Sequence, residues 1–345
     1  MQQSEILSRP TNGRVHLNVL SNSAIACYRA CPRQFKYRYV MLRRPRRASE
    51  ALRFGALIHV GLNAWWNEPS DASDRYSAAV HAMRERAEAR PEDADPFELI
   101  KAEELIRGYS VRWGDESYET IAVELTFDVP LVNPETGRAS RTYRVQGAID
   151  AIVRRGGKVF HVEHKTTSQD IGLGADYWRR VSALDPQVST YQSALRALGY
   201  EDVETLYDVI HKVALRPQKA TPEAQRKYTK EGRLYANQRE TDETPEEFRL
   251  RVREHIAANP ERYYARGPVV RLEQDEREHA GDVWQTAAMI RMSENSGHWP
   301  RNPGACQRFH RMCDYFDVCS GMASIDDDTR FRTAEHAHEE LVKEV

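Results

Sequence analysis

Residues 143–167 read YRVQGAIDAIVRRGGKVFHVEHKTT. Two runs rich in Val, Ile, Phe and Tyr flank Gly156-Gly157, a pair that tolerates the positive φ angles of a tight hairpin turn. The stretch therefore predicts a β-hairpin. Side chains alternate faces along a strand, so Glu163 and Lys165 point one way and Val162 the other. Asp150, near the middle of the first strand, can face Glu163 across the pair. Two carboxylates and an ammonium on one sheet face are a costly grouping unless a cation sits between the acids. Gly147, three residues before Asp150, leaves room for another backbone or a ligand to approach.

Taken alone, Glu163 and Lys165 read as a solvated salt pair, because Glu-x-Lys triplets are common and an exposed pair contributes little. The wider arrangement says more. Gly147-x-x-Asp150, followed by a strand with Glu163-x-Lys165, resembles the PD-(D/E)XK nuclease superfamily. The resemblance implies that Asp150 and Glu163 bind Mg2+ or Mn2+ and that Lys165 positions and polarises the attacking water. Gly55-x-x-x-His59, upstream of the hairpin, is similar to the RecB-like branch, whose histidine joins the metal ligands. The carbonyl of His164 is a further expected ligand. Asp185-Pro186 supplies an N-cap and a first-turn proline for a helix ending near Gly199. On that helix Gln187 and Tyr191 share a face, and Q-x-x-x-Y after the E-x-K strand is a further RecB-like mark, contacting substrate or supporting the site. Tyr177 and Trp178 could stack on a base of a single-stranded substrate, although core packing is the commoner role for Trp178.

A chain of 345 residues, 40% hydrophobic, can bury a sizeable core in one large domain or two modest ones. No membrane span or secretory signal is visible: the apolar-leaning stretch from 51 to 66 contains Arg53, His59 and Asn63. An intracellular, cytoplasmic protein is expected. Net charge is −2, so any nucleic acid must meet local patches. Candidates are Arg43, Arg44, Arg46 and Arg47, and the stretch 216–239, which holds seven Lys or Arg against two Glu, with Tyr228 and Tyr235 interleaved. A solvated face has the same composition.

Around the hairpin, helices are expected at about 49–67, 72–89 and 96–114, the last two as an exposed, charged lobe. Alternation from 120 to 129 predicts a strand. Residues 170–182 look irregular, 203–213 read as a strand beside the hairpin, and Thr244-Pro245-Glu246-Glu247 is a capping box opening a helix to about 258. A short strand at 269–272 and a helix at 275–295 follow, and residues beyond 324 look peripheral.

Cys306, Cys313 and Cys319 lie among polar residues that include Arg308, His310, Arg311, Asp314 and Asp317, which does not suit an ordinary core strand. In an intracellular protein the clustering argues against disulfides. Cys31-Pro-Arg-Gln-Phe resembles the start of the iron–sulfur subgroup of RecB-like nucleases, which holds a 4Fe-4S cluster with one upstream and three downstream cysteines. The resemblance implies the set Cys31, Cys306, Cys313 and Cys319. Cys27 is left over, though it could replace Cys31, and four thiolates could equally hold Zn2+. The six residues between Cys306 and Cys313 depart from the C-x-x-C spacing of many members.

These readings together predict an α/β fold: a mixed central β-sheet flanked by helices, with a restriction-endonuclease-like core. The expected organisation is a flexible arm at 1–20, one nuclease domain at 21–324 and an acidic tail at 325–345. Within the domain, a helical insertion at about 68–118, a basic insertion at about 216–240 and a cysteine region at 304–320 are expected, the cysteine-bound cluster tying the termini together. The expected activity is metal-dependent hydrolysis of DNA, as an exonuclease in end processing, recombination, repair or phage DNA metabolism. An inactive DNA-binding or assembly subunit and a CRISPR spacer-processing nuclease are the alternatives. No P-loop is present, so a helicase or recombination partner would be another chain; a homo-oligomer is compatible with the sequence.

Overall fold

The computed structural model describes residues 18–172, 174–200, 202–308 and 311–342. Residues 1–17 of the expected arm and His310 lie outside them. In chain order the elements begin with β1 (Val19–Leu20), α1 (Asn22–Ala30), α2 (Pro32–Phe35), β2 (Arg43–Pro45), α3 (Glu50–Asn67), α4 (Ala72–Ala89) and α5 (Pro96–Trp113). The central stretch supplies β3 (Glu119–Val132), β4 (Ala139–Arg155), β5 (Lys158–Thr167), α6 (Asp176–Leu184), α7 (Pro186–Ala197) and β6 (Val203–His211). After it come α8 (Pro245–Ala258), α9 (Pro260–Tyr263), β7 (Tyr264–Val269), α10 (Glu273–Ser296), β8 (Gln307–Arg308), β9 (Arg311–Met312), α11 (Phe316–Ser320) and β10 (Phe331–Thr333).

The hairpin forms as the glycine pair requires: Gly156 and Gly157 have φ of 57° and 79°, and β4 pairs antiparallel with β5. Strands run in the order β1-β4-β5-β6-β7, with β3 along the other edge of β4; β1–β4 and β5–β6 are parallel and the remaining pairs antiparallel. The sheet is therefore mixed. Helices α3, α4, α5 and α8 pack with Val162, Leu206 and Ile210 into one core. Helices α1, α7 and α10 pack with Val145, Ile149 and Ile152 into another.

Four local expectations change. Residues 170–182 are not wholly irregular, since α6 begins at Asp176. The short late strand lies at Tyr264–Val269 rather than 269–272, where it pairs with β6. The helices α4 and α5 are not an exposed lobe: Leu105, Ile106 and Tyr109 are buried, and the acids Glu103 and Glu104 are buried against Arg84, Arg249 and Arg253. A charged helix face read as solvated is here an internal ion-pair seam. Nor are residues 325–342 peripheral. β10 pairs with β2, Phe331 stacks on Tyr315, and Glu340 accepts a hydrogen bond from the Ser21 hydroxyl at 2.7 Å.

That packing also removes part of the first basic patch. Arg43 and Arg44 are buried; Arg43 pairs with Asp328 at 2.8 Å, and Arg44 lies 3.5 Å from Glu339. Their charges are spent on the chain's own acidic end rather than offered to nucleic acid. No helix among the described residues is long and apolar enough to cross a membrane.

Candidate active site

The site lies where β4 changes partners. On one edge β4 pairs with β5 from Arg155↔Lys158 to Ala151↔Val162, and with β1 only at Arg144 and Val145. Between them the edge from Gln146 to Asp150 has no strand beside it among the described residues. Backbone groups freed at such a gap need other partners. Asp150 supplies one: its Oδ2 accepts from the main-chain N–H of His164 at 2.8 Å. Asp150 thus engages the β5 backbone next to Glu163. Its Oδ1 lies 3.6 Å from Nδ1 of His59, carried on α3.

Gly147 makes room for side chains rather than for a backbone or a ligand. A Cβ there would lie 2.5 Å from the Phe127 ring and 3.1 Å from Tyr191.

Glu163 and Lys165 share a face, as alternation requires, and that face looks toward α7. The Lys165 ammonium donates to Glu163 Oε1, and also to Gln187 Oε1 at 2.8 Å. The Gln187 amide in turn donates to the Tyr191 hydroxyl at 2.8 Å. Gln187 and Tyr191 therefore act as a strut that fixes the lysine. Asp185 caps α7 through the N–H of Gln187 at 2.9 Å and receives the Tyr207 hydroxyl at 2.7 Å.

Burial sets the charges. Glu163 is fully buried, and burial together with the Asp150 charge pushes its carboxyl up to about 7 against the pull of Lys165. Burial works against the Lys165 ammonium, but Glu163, Asp185 and Asp150 outweigh it and hold the lysine protonated well above its usual range. Asp150 goes the other way: burial raises it, and His59, His164 and Lys165 together hold it below the usual carboxylate range.

Several supporting residues escaped the sequence reading. The His164 side chain turns away from Lys165 toward α3, stacking on Trp66, with Nδ1 2.8 Å from Asp208 Oδ2. Asp208 also accepts from Tyr109 at 2.8 Å and from Arg266 at 3.0 Å. The available signal was an aspartate in the middle of the apolar strand LYDVIH. Glu124, beside Asp150 on β3, has φ of 48° and accepts from Asn63, one turn after His59 on α3. Such a conformation costs a non-glycine residue roughly 1 kcal/mol or more. Tyr177 is buried, and Trp178 donates its indole N–H to the Ile171 carbonyl at 2.5 Å, so both serve packing.

A divalent ion fits this donor set on one observation in particular. Glu163 Oε2 is buried and has no hydrogen-bond partner, an expensive condition for a carboxylate oxygen. Among the described residues, however, no three of His, Cys, Asp and Glu converge as a formed metal-binding group.

The cysteines gather at the other end of the chain's path. Cys31, Cys306, Cys313 and Cys319 line one cavity of about 610 Å³. The six-residue gap is spanned by the β8–β9 hairpin, which returns Cys313 to Cys306, its N–H donating to the Cys306 carbonyl at 2.7 Å. All five cysteines are free thiols. Cys27 is absent from the cavity lining, and burial pushes its thiol up to about 12.

A family model described as the PD-(D/E)XK nuclease superfamily matches residues 19–320. The chain belongs to that superfamily. Membership suggests a metal-dependent nuclease with DNA as substrate, and the mixed sheet between helices is consistent with the restriction-endonuclease-like fold of a PD-(D/E)XK protein. The search of curated proteins returned no match. Among solved structures, the chain is similar to one titled "Crystal structure of SSO0001", 14% identical over 82% of this chain and 79% of that one, with a TM-score of 0.30. That likeness is too loose to bear on this superfamily member's site.

Proposed function

We propose that this superfamily member is a Mg2+- or Mn2+-dependent deoxyribonuclease of the RecB-like branch that works as an exonuclease on DNA ends. The observation that carries the reading is the buried group of Asp150, Glu163 and Lys165 at the gap in the β4 edge, with Glu163 Oε2 unpartnered and Lys165 braced by Gln187. Asp150 and Glu163, with His59 and the His164 carbonyl, would hold the ion. When bound, the ion supplies a water of lowered pKa and positive charge for the phosphate. Lys165, placed between Glu163 and Gln187, would orient or help deprotonate the water and oppose negative charge on the phosphate oxygens. Gln187 and Tyr191 keep that ammonium in one position, which limits the reorganisation needed during reaction. Water adds to phosphorus, the bond to the ester oxygen breaks, and that oxygen leaves with a proton. Recombination, repair or phage DNA metabolism are the settings this reaction suits, any motor being another chain.

The four cavity-lining cysteines support a structural 4Fe-4S cluster in the same protein, with Zn2+ as the alternative occupant. Four thiol donors in one cavity match either group, and Cys31 is the upstream member.

The test is cleavage of end-labelled linear and closed circular DNA with Mn2+, Mg2+ or EDTA, comparing the wild-type chain with Asp150→Ala. Metal-dependent loss of linear DNA alone, abolished in the variant, is expected. Cleavage of circles would remove the exonuclease assignment, and cleavage unchanged by Asp150→Ala would remove this site.

A further inference from the structure

Between β6 and α8 the chain makes an excursion whose architecture the active site does not explain. Residues 214–242 contain no buried side chain, yet their backbone is fixed. Thr221 N–H donates to the Arg239 carbonyl, Tyr235 N–H to Lys227, and Thr229 N–H to Arg233; Tyr228 and Leu234 bridge antiparallel, and Gly232 takes φ of 76° at the tip. Side chains pin the base: Gln218 and Arg251 engage Glu243, and Arg226 donates to the Glu240 carbonyl. Beyond Leu215, which packs against the first core, an arm that spends hydrogen bonds on its shape while fully burying no apolar side chain is stabilised for a surface role, since core packing gains little from it.

The charges on the arm divide by position. Near the base, Lys219 and Arg239 are paired with Asp242 and Glu247. Toward the tip, the side chains of Lys227, Lys230 and Arg233 make no ion pair or hydrogen bond among the described residues. Alternation about the Tyr228–Leu234 bridge puts Lys227, Arg233 and Tyr235 on one face of the ladder. Tyr235 and Tyr228 are 45% and 50% exposed, unusual for large aromatic side chains with nothing to cover them. Cations beside the exposed Tyr235 ring on one face, with Tyr228 on the other, match a single strand, whose phosphates take the charges and whose unpaired base stacks on the ring. The arm also leaves the sheet at the end that carries Lys165: Lys212 N–H donates to the carbonyl of Thr167, two residues beyond that lysine.

We propose that the tip of this arm, through Lys227, Lys230, Arg233 and Tyr235, is a binding surface for single-stranded DNA separate from the residues of the cleavage site. The inference deepens the nuclease reading and rests on it for the nature of the ligand. It makes the arm a determinant of affinity and salt dependence, with no part in the chemical step.

The experiment measures binding without cleavage. Fluorescence anisotropy of a labelled 20-nucleotide strand is followed across a salt series, using Asp150→Asn protein without added divalent metal. Adding Lys227→Ala, Lys230→Ala and Arg233→Ala together is expected to weaken binding at least tenfold and to reduce the log–log salt slope by about 2, at roughly 0.7 per phosphate contact on a single strand. Lysine-to-arginine exchange at 227 and 230 should retain binding, and Tyr235→Ala should lose at least fivefold on the single strand and little on duplex. All four side chains are exposed, so folding is checked by an unchanged melting curve. Binding and slope unchanged in the triple variant would overturn the arm proposal while leaving the nuclease reading intact. Absence of strand binding by the parent Asp150→Asn protein would overturn both.

Discussion

Asp208 Oδ2 lies 2.8 Å from Nδ1 of His164, joining a buried β6 carboxylate to the residue whose main-chain N–H is held by Asp150. The strands β5 and β6 run parallel with His164 opposite Asp208 in register, so the contact is built into the ladder. Arg266 and Tyr109 donate to the same carboxylate, and Arg266 also pairs with Glu116, so the Asp208 charge is compensated. Removing one partner of such a set leaves the other uncompensated in a low-dielectric interior. Asp208→Ala should therefore cost about 3–5 kcal/mol of unfolding free energy, measured by urea titration. A loss below about 1 kcal/mol would mean that the network is not the brace described.

Gln187 contributes by position rather than by touching a reacting atom in our proposal. Lys165→Ala should lower kcat by about 100-fold or more, as loss of a preorganised charge does. Gln187→Ala should lower kcat by roughly tenfold with KM nearly unchanged, because the ammonium remains but is no longer fixed. Gln187→Glu should not restore the wild-type value, since a second carboxylate would draw Lys165 away from Glu163. A change confined to KM would reassign Gln187 to substrate binding.

Glu340 gives a pH dependence with a definite sign. Burial raises its carboxyl, but the hydrogen bonds and charge from His338 and Ser21 outweigh it and hold the group down to about 2. A depressed folded-state value means stabilisation that is present above the unfolded pKa of about 4.3 and disappears as pH falls toward the folded one. Solvent screening of this partly exposed group leaves a contribution on the order of 1 kcal/mol at neutral pH. Wild type and Glu340→Gln should differ in urea midpoint at pH 6.5, the gap narrowing below about pH 4 and closing only below about pH 2, where the folded-state carboxyl itself protonates. A difference independent of pH would refute the assignment.

The segment after Ser324 should behave as part of the fold. Truncation there removes the β2–β10 pairing, the Phe331–Tyr315 stack and the Arg43–Asp328 pair. A melting temperature lowered by at least about 5 °C is expected. An unchanged transition would return these residues to the status of a peripheral tail.

Cysteine substitution separates the two upstream candidates. Cys31→Ser should lose bound metal measured by elemental analysis, whereas Cys27→Ser, outside the cavity lining, should retain it. Iron with a brown absorbance would identify the cluster, zinc without colour the alternative, and equal loss in both variants would contradict the division.

Local rules made much of this chain legible. Gly156-Gly157 required the hairpin, alternation put Glu163 and Lys165 on one face, Asp185-Pro186 and Thr244 started α7 and α8, and the i,i+4 spacing joined Gln187 to Tyr191. Each of these depends on dihedral preference, periodicity or a hydrogen bond within a few residues, and such terms are written in adjacent positions.

Tertiary structure decided what depends on distant partners. Glu103 and Glu104 looked solvated until Arg249 and Arg253, some 145 residues away, buried their charge. Arg43 and Arg44 looked like a nucleic-acid patch until the chain's own end neutralised them. The cost of a buried charge depends on what lies beside it in space, which neighbouring sequence does not record. The sequence by itself determined the central hairpin, the strands at its two sides and the candidate acid, acid and lysine, but not the short strands β1 and β7 at the sheet's ends. Only the folded chain decided that the β4 edge opens at Asp150, that Asp208 braces His164, and which basic residues remain free to meet DNA.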